Sequence, residues 1–150
     1  MDNHNSLEER FRRLNRVYAV LSSINKSIVR THNKKELLKD VCQIAVKEGE
    51  YVLAWIGKLN TLTNKVEILA SDGVVEYSNN LNIDLNYEEQ SNGPSGIALK
   101  SGKHFFSMDI KNDRKMEPWR ERALSYGLRS CISLPLIAFG EIRGILNLYS

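Results

Sequence analysis

Residues 128–149, LRSCISLPLIAFGEIRGILNLY, decide the fold of this chain. Apolar residues dominate 128–137 and 141–149, and the short segment between them contains a glycine, which is typical of a tight turn between antiparallel strands. Pro135 cannot donate a backbone hydrogen bond, so we expect it at a sheet edge, a strand end or a bulge. The second strand runs to the last residues without a following helix. We therefore expect the chain to be part of a longer protein.

A second pair of strands is predicted upstream of this hairpin. Residues 51–59 (YVLAWIGKL) are almost continuously apolar, which indicates a strand covered on both faces, and 65–71 alternate as a strand beside it. Short helices are predicted at 95–101 and 118–126, and 72–94 have no clear period and are expected to form a long loop. The order of these elements predicts an α+β fold with an antiparallel sheet.

The N-terminal segment is predicted to be a long amphipathic helix. Apolar residues recur at sevens over 6–31, which is the heptad pattern of a helix that pairs with a second helix. An additional apolar edge favours a homodimer over the alternative, a helix that packs only on its own domain. The single polar residue of the seam would set its register. The seam residues are Leu7, Phe11, Leu14, Tyr18, Leu21, Asn25 and Ile28.

Composition excludes several classes of protein. The chain has 150 residues, 42% of them hydrophobic and 26% charged, which fits one ordinary globular domain. It contains no apolar run of about 18 residues and no signal peptide, so we expect no membrane insertion. The two cysteines have no metal-ligand spacing, which predicts no metal site and favours a reducing, cytoplasmic location. The basic residues near the N-terminus lack stacking aromatics, so we expect no nucleic-acid partner.

Four stretches carry a resemblance to a known family. They are AWIG at 54–57, GPSGIA at 93–98, DIKNDRKMEPWR at 109–120, and the closing hairpin from Arg129 to Tyr149. In their order and spacing they resemble the GAF domain of bacterial and archaeal signalling proteins. The resemblance covers about residues 14–150.

The resemblance implies a central antiparallel sheet with the last strand beside the first. Helices would lie on one face and a ligand pocket on the other, with 1–31 as the dimerisation helix and 32–150 as the sensor domain. The exit helix that usually follows such a domain is absent. The family implies a non-catalytic cytoplasmic sensor or relay attached to an output domain such as a diguanylate cyclase, a phosphodiesterase or a histidine kinase. A ligandless homodimerisation module of the same fold is the alternative.

The ligand stays open at this stage. GAF domains bind cyclic nucleotides, tetrapyrroles or other small molecules, but the cyclic-nucleotide signature cannot be placed here. The predicted helix at 119–126 has no cysteine for a bilin, and no haem or metal signature is found. Free methionine sulfoxide reductase has the same fold and depends on several thiols, which the widely spaced Cys42 and Cys131 cannot reproduce. We therefore predict no catalytic residues.

The resemblance places a pocket beneath the segment 109–126. We expect this segment to act as a lid for a small, partly apolar molecule. Because a lid contributes little to a core, Trp119→Ala is expected to leave the melting temperature nearly unchanged. The predicted ligand contacts are Trp55, Phe106, Asp109, Met116, Trp119, Arg120, Tyr126 and Ser130.

Overall fold

The computed structural model describes residues 33–150 and part of the N-terminal segment, namely 7–9, 12, 13, 15, 16, 19 and 23. These N-terminal positions are helical, and Leu7 is exposed. The remaining residues of the predicted seam lie outside the described residues, so the dimer stays a prediction. They are Phe11, Leu14, Tyr18, Leu21, Asn25 and Ile28.

Five antiparallel strands form one sheet in the described part of the chain. Their order is β2-β1-β5-β4-β3, so the last strand lies between the first strand and the rest of the closing hairpin, as predicted. The strands are β1 (Leu53–Asn60), β2 (Lys65–Gly73), β3 (Phe105–Ser107), β4 (Cys131–Ala138) and β5 (Glu141–Tyr149).

The helices of the described residues are short apart from the first. The segment 72–94, expected to be one long loop, contains two of them, Val75–Asn79 and Glu88–Ser91, so that expectation was wrong. Helices of four or five residues are too short to produce a period in the sequence. No helix within the described residues is long and apolar enough to cross a membrane. The helices are α1 (Lys34–Lys47), α2 (Val75–Asn79), α3 (Glu88–Ser91), α4 (Pro94–Ser101) and α5 (Arg120–Ser125), with a 3-10 turn at Arg114–Met116.

The sheet buries apolar residues on both faces because its central strands alternate between two cores. In β1, Leu53 and Trp55 face one core whereas Ala54 and Ile56 face the other. Helix α1 covers the second core. The first core is covered by the short helices and loops, and we call this side of the sheet the pocket face. The predicted strand covered on both faces is confirmed.

Pro135 lies on an open stretch of sheet edge. Strand β3 pairs only with Cys131–Ser133 of β4, so the rest of β4 has no second neighbouring strand among the described residues. The ladder between β4 and β5 is also irregular between Leu136 and Ile137. The edge position expected from the missing N–H is therefore confirmed.

Candidate functional site

A small cavity lies between the pocket face and the short helices. Its volume is about 10 Å³, which is roughly the space of one water molecule. The walls come from the α2 region, the start of α4, the 3-10 turn and strands β4 and β5. They consist of Tyr77, Leu81, Ile83, Pro94, Ser95, Met116, Trp119, Cys131, Asn147 and Tyr149.

The strand register places polar residues in the middle of the pocket face. Asn147 of β5 lies opposite Trp55 of β1 on one side and opposite Ser133 of β4 on the other. The next row places Tyr149 opposite Cys131. Strand β1 is far from the closing hairpin in the sequence, so the sheet brings Trp55 to these side chains.

Asn147 is the polar centre of the cavity wall. Its side chain is 1% exposed, and its Oδ1 accepts hydrogen bonds from the Ser95 hydroxyl at 3.1 Å and from the Ser133 hydroxyl. Its Nδ2 has no hydrogen-bond partner among the described residues. A buried donor without a partner costs about 1–3 kcal/mol of stability. A small group in the cavity that accepts from Nδ2 would remove this cost.

The N-terminus of α4 meets the cavity beside Asn147. Pro94 occupies the first turn of α4, where a backbone N–H would have no partner within the helix. Gly93 is the N-cap residue, and no side chain caps the helix there. The first bond of the helix runs from the Ile97 amide to the Gly93 carbonyl at 3.0 Å. The Ser95 amide therefore has no acceptor among the described residues, and it belongs to a residue that lines the cavity.

Trp119 closes the cavity on the side away from the sheet. Its indole Nε1 donates to the Asn82 carbonyl at 3.1 Å, and its ring packs against Gly93, where a side chain would overlap it. Trp119 is only 8% exposed and belongs to the pocket-face core. The expectation that this lid residue contributes little to the core was therefore wrong.

Arg120 holds the lid loop instead of facing the cavity. Its Nε donates to the Ile110 carbonyl at 3.2 Å, and its guanidinium also donates to the Asp113 carbonyl at 2.6 Å. The Asp113 carboxylate in turn accepts from the Ser107 hydroxyl at 2.7 Å. These bonds tie the loop at 109–113 to helix α5 and to strand β3.

An aromatic cluster supports the floor of the cavity. The Trp55 indole donates to the Tyr149 hydroxyl at 3.0 Å, and the Tyr77 ring meets the Tyr149 ring edge-on with centroids 5.6 Å apart. Burial raises the pKa of Tyr77 and that of Tyr149 above the usual tyrosine value. Both hydroxyls are therefore neutral under physiological conditions and act only as hydrogen-bonding groups.

The two cysteines lie on opposite faces of the sheet. Cys131 lines the cavity, with its Sγ 4.0 Å from the Met116 Sδ, whereas Cys42 is buried in the core under α1. Burial raises the pKa of each thiol to about 12. Both thiols are therefore protonated at neutral pH and are poor nucleophiles.

The structure divides the predicted ligand contacts into two groups. Met116 and Trp119 line the cavity, and Trp55 reaches it only through Tyr149. The others lie outside it, and ligand contact by any of them stays a prediction. Those others are Phe106, Asp109, Arg120, Tyr126 and Ser130.

The residues outside the cavity have their own contacts. Asp109 is exposed and accepts a hydrogen bond from the Asn112 amide at 2.7 Å, and Tyr126 packs edge-on against Tyr77. Phe106 and Ser130 line a separate outer cleft of about 560 Å³ between the N-terminal helix and the sheet.

Sequence reasoning missed Asn147, although a polar residue inside the apolar run GILNLY was a signal that could have been used.

The outer cleft is bordered by three arginines of the N-terminal segment. Arg16 donates to the carbonyls of Gly49 and Glu50 at 2.6 and 2.8 Å, and its guanidinium lies 4.2 Å from the centre of the Tyr51 ring. Arg13 pairs with Glu9. Arg16 thus holds the N-terminal helix against the domain, whereas the pair of Arg13 and Glu9 lies within the helix.

Comparison with solved structures identifies the same fold in several proteins. The A. aeolicus nlh2 GAF domain in an inactive state is 17% identical, with a TM-score of 0.68, and the match covers 94% of this chain and 80% of that chain. Free methionine-R-sulfoxide reductase from Neisseria meningitidis, solved with its substrate, is 18% identical, with a TM-score of 0.68 and coverage of 87% and 71%. The GAF domain of a phosphoenolpyruvate-protein phosphotransferase from Coxiella burnetii is 16% identical, with a TM-score of 0.69 and coverage of 91% and 78%.

A search of curated protein sequences finds no match. At these low identities the structural neighbours establish the fold, α+β with a GAF-like antiparallel sheet, and not an activity. The family profile for the GAF domain matches residues 31–150, which is most of the chain. The chain therefore belongs to the GAF domain family.

Proposed function

We propose that this chain is a non-catalytic sensor domain that binds a small molecule in the cavity between the pocket face and Trp119. The observation that carries the proposal is the buried Nδ2 of Asn147, which lies on the cavity wall without a partner. A ligand with a matching group would remove the cost of that unpaired donor. The Neisseria reductase, a structural neighbour that was solved with its substrate, also supports a small-molecule role for this fold.

Ligand entry would change the position of the lid. The cavity has room for about one water molecule, so a larger molecule requires Met116 and Trp119 to move. That movement breaks or shifts the hydrogen bond from Trp119 to Asn82 and displaces the loop held by Arg120. A ligand that binds better to the moved arrangement shifts the population towards it, which is how such a domain signals.

A screen with a small-molecule library tests the proposal. We expect some compounds to raise the melting temperature of the wild-type protein and to slow hydrogen exchange of the amides at 109–126. The same compounds should have a weaker effect on Asn147→Leu. If protection by every such compound falls on the outer cleft instead, the cavity is not the sensor site. If no compound binds, the ligandless dimerisation module becomes the better proposal.

Asn147→Leu is expected to lower the free energy of unfolding by about 1–3 kcal/mol. The buried hydroxyls of Ser95 and Ser133 lose their acceptor at about 1–3 kcal/mol each, whereas removal of the unpaired donor recovers about 1–3 kcal/mol. Urea denaturation followed by circular dichroism measures the difference. A loss of more than about 3 kcal/mol would mean that Asn147 is retained for folding alone.

We further propose that the signal reaches an attached output domain through a homodimer formed by the helix at 6–31. The heptad pattern of the sequence supports this proposal, and we place the domain in the cytosol because both cysteines of the described chain are free and buried. Leu14→Lys with Leu21→Lys should give monomers in analytical ultracentrifugation, because like charges would face each other in an apolar seam. A wild-type protein that is monomeric at micromolar concentration would contradict the dimer.

A methionine sulfoxide reductase is the second candidate, because two structural neighbours are free methionine-R-sulfoxide reductases. The positions of the thiols argue against it, since Cys42 and Cys131 lie on opposite faces of the sheet and both are protonated. We expect no reduction of free methionine sulfoxide by the wild type, by Cys42→Ala or by Cys131→Ala. Rapid wild-type turnover that either substitution abolishes would overturn the sensor proposal.

A further inference from the structure

Two hydrogen-bond donors at the cavity have no acceptor among the described residues. One is the Asn147 Nδ2, and the other is the backbone amide of Ser95 at the N-terminus of α4. The hydroxyls of Ser95 and Ser133 both donate to the Asn147 Oδ1, which leaves Nδ2 as the end of the amide without a partner. Both donors are therefore available to a hydrogen-bond acceptor on a molecule that enters the cavity.

The walls of the cavity carry no charge. None of the ten lining residues is a Lys, Arg, His, Asp or Glu. The nearby Asp113 carboxylate is already bound, because it accepts from the Ser107 hydroxyl and from the Lys115 amide. Burial also raises the pKa of Cys131 and of Tyr77, so the surroundings disfavour negative charge. An anion entering the cavity would lose its hydration without gaining a cationic partner.

We infer that the cavity selects an uncharged small molecule through an acceptor oxygen, such as that of a ketone or an amide. A carbonyl oxygen has two lone pairs and can accept from the Asn147 Nδ2 and the Ser95 amide together. The rest of the molecule is apolar, since Tyr77, Met116 and Trp119 form the opposite walls. This inference rests on the proposed sensor function and defines the chemical class of its ligand.

Four aromatic probes of similar size test the inference by isothermal titration calorimetry. Acetophenone offers an acceptor oxygen, ethylbenzene offers no polar group, indole offers only a donor, and benzoate is an anion. We expect acetophenone to bind roughly tenfold more tightly than ethylbenzene, which corresponds to one or two neutral hydrogen bonds. Indole should bind no better than ethylbenzene, and benzoate should bind at least about tenfold more weakly than acetophenone.

Two variants link this preference to the unpaired donor. Asn147→Leu should bind acetophenone only about threefold more tightly than ethylbenzene, because it removes Nδ2, leaves the Ser95 amide as the one remaining donor and keeps a side chain of similar size. Ser133→Ala should keep the tenfold preference, because Ser133 donates to Oδ1 and does not line the cavity. Loss of the preference in Ser133→Ala to the same extent as in Asn147→Leu would overturn the assignment of the donor.

The outcomes separate this inference from the proposed function. If benzoate, indole or ethylbenzene binds as tightly as acetophenone, the cavity binds small molecules but the inferred chemical class of the ligand is wrong. If Asn147→Leu binds all four probes as the wild type does, binding occurs elsewhere and the inference fails. If the wild type binds none of the four probes, the inferred ligand class is wrong, and the library screen decides the sensor function separately.

Discussion

Trp119→Ala should lower the free energy of unfolding by about 3–5 kcal/mol, the range for truncating a buried aromatic residue. The indole is 8% exposed, it packs against Gly93, and its Nε1 donates to the Asn82 carbonyl at 3.1 Å. Removing it would separate helix α5 from the start of α4 and from the loop at Asn82. Urea denaturation followed by circular dichroism gives the change directly.

Trp119→Phe is the matched control for this prediction. Phenylalanine keeps an aromatic ring against Gly93 but cannot donate to the Asn82 carbonyl, so we expect a smaller loss of about 1–2 kcal/mol. A loss below about 1 kcal/mol for Trp119→Ala itself would contradict the core role of the indole. The residue would then be the peripheral lid residue that the sequence alone indicates.

Gly96→Ala should be the most disruptive single-methyl change near the cavity. A Cβ at this position would overlap the Ser91 carbonyl oxygen and lie 2.7 Å from its carbonyl carbon. Because both atoms belong to the backbone, helix α4 must shift away from the segment at α3, at a cost of about 3 kcal/mol or more. The shift would also move the Ser95 amide and hydroxyl away from Asn147. We expect a lower melting temperature together with lost binding of any cavity ligand.

Gly127→Ala provides the control for the added methyl group. Nothing lies within 4 Å of a Cβ at Gly127, and the only cost is its left-handed backbone with φ of 76°. That conformation costs an L-residue about 1–2 kcal/mol. Equal losses at Gly96 and Gly127 would show that α4 adapts freely and that its position at the cavity is not fixed by close packing.

Local patterns were sufficient to predict most of the fold. The continuous apolar run in β1 predicted a strand covered on both faces, and the structure has Leu53 and Trp55 in one core and Ala54 and Ile56 in the other. The start of α1 is also a local feature, since the Asn33 side chain accepts from the Lys35 amide at 3.0 Å. These features depend on residues close together in the chain, so a local pattern contains them.

The cavity could not be predicted in the same way. Its polar centre depends on Asn147 meeting Ser95, which is 52 positions away, and that meeting is set by strand pairing and by the docking of α4. Arg120 was expected to contact the ligand, whereas its hydrogen bonds to the carbonyls of Ile110 and Asp113 depend on the path of the loop. Long-range register and loop path therefore decided which residues form the site.

The open stretch of β4 has a consequence for how the molecules associate. An unpaired strand edge exposes N–H and C=O groups that can recruit a strand from another molecule and start aggregation. Pro135 interrupts this row of donors, and the irregularity after Leu136 breaks its regular spacing. The protection matters here because Ile137 and Phe139 are exposed at the adjoining hairpin tip. Pro135→Val should therefore convert a protein that stays dispersed at high concentration into one that forms β-rich aggregates.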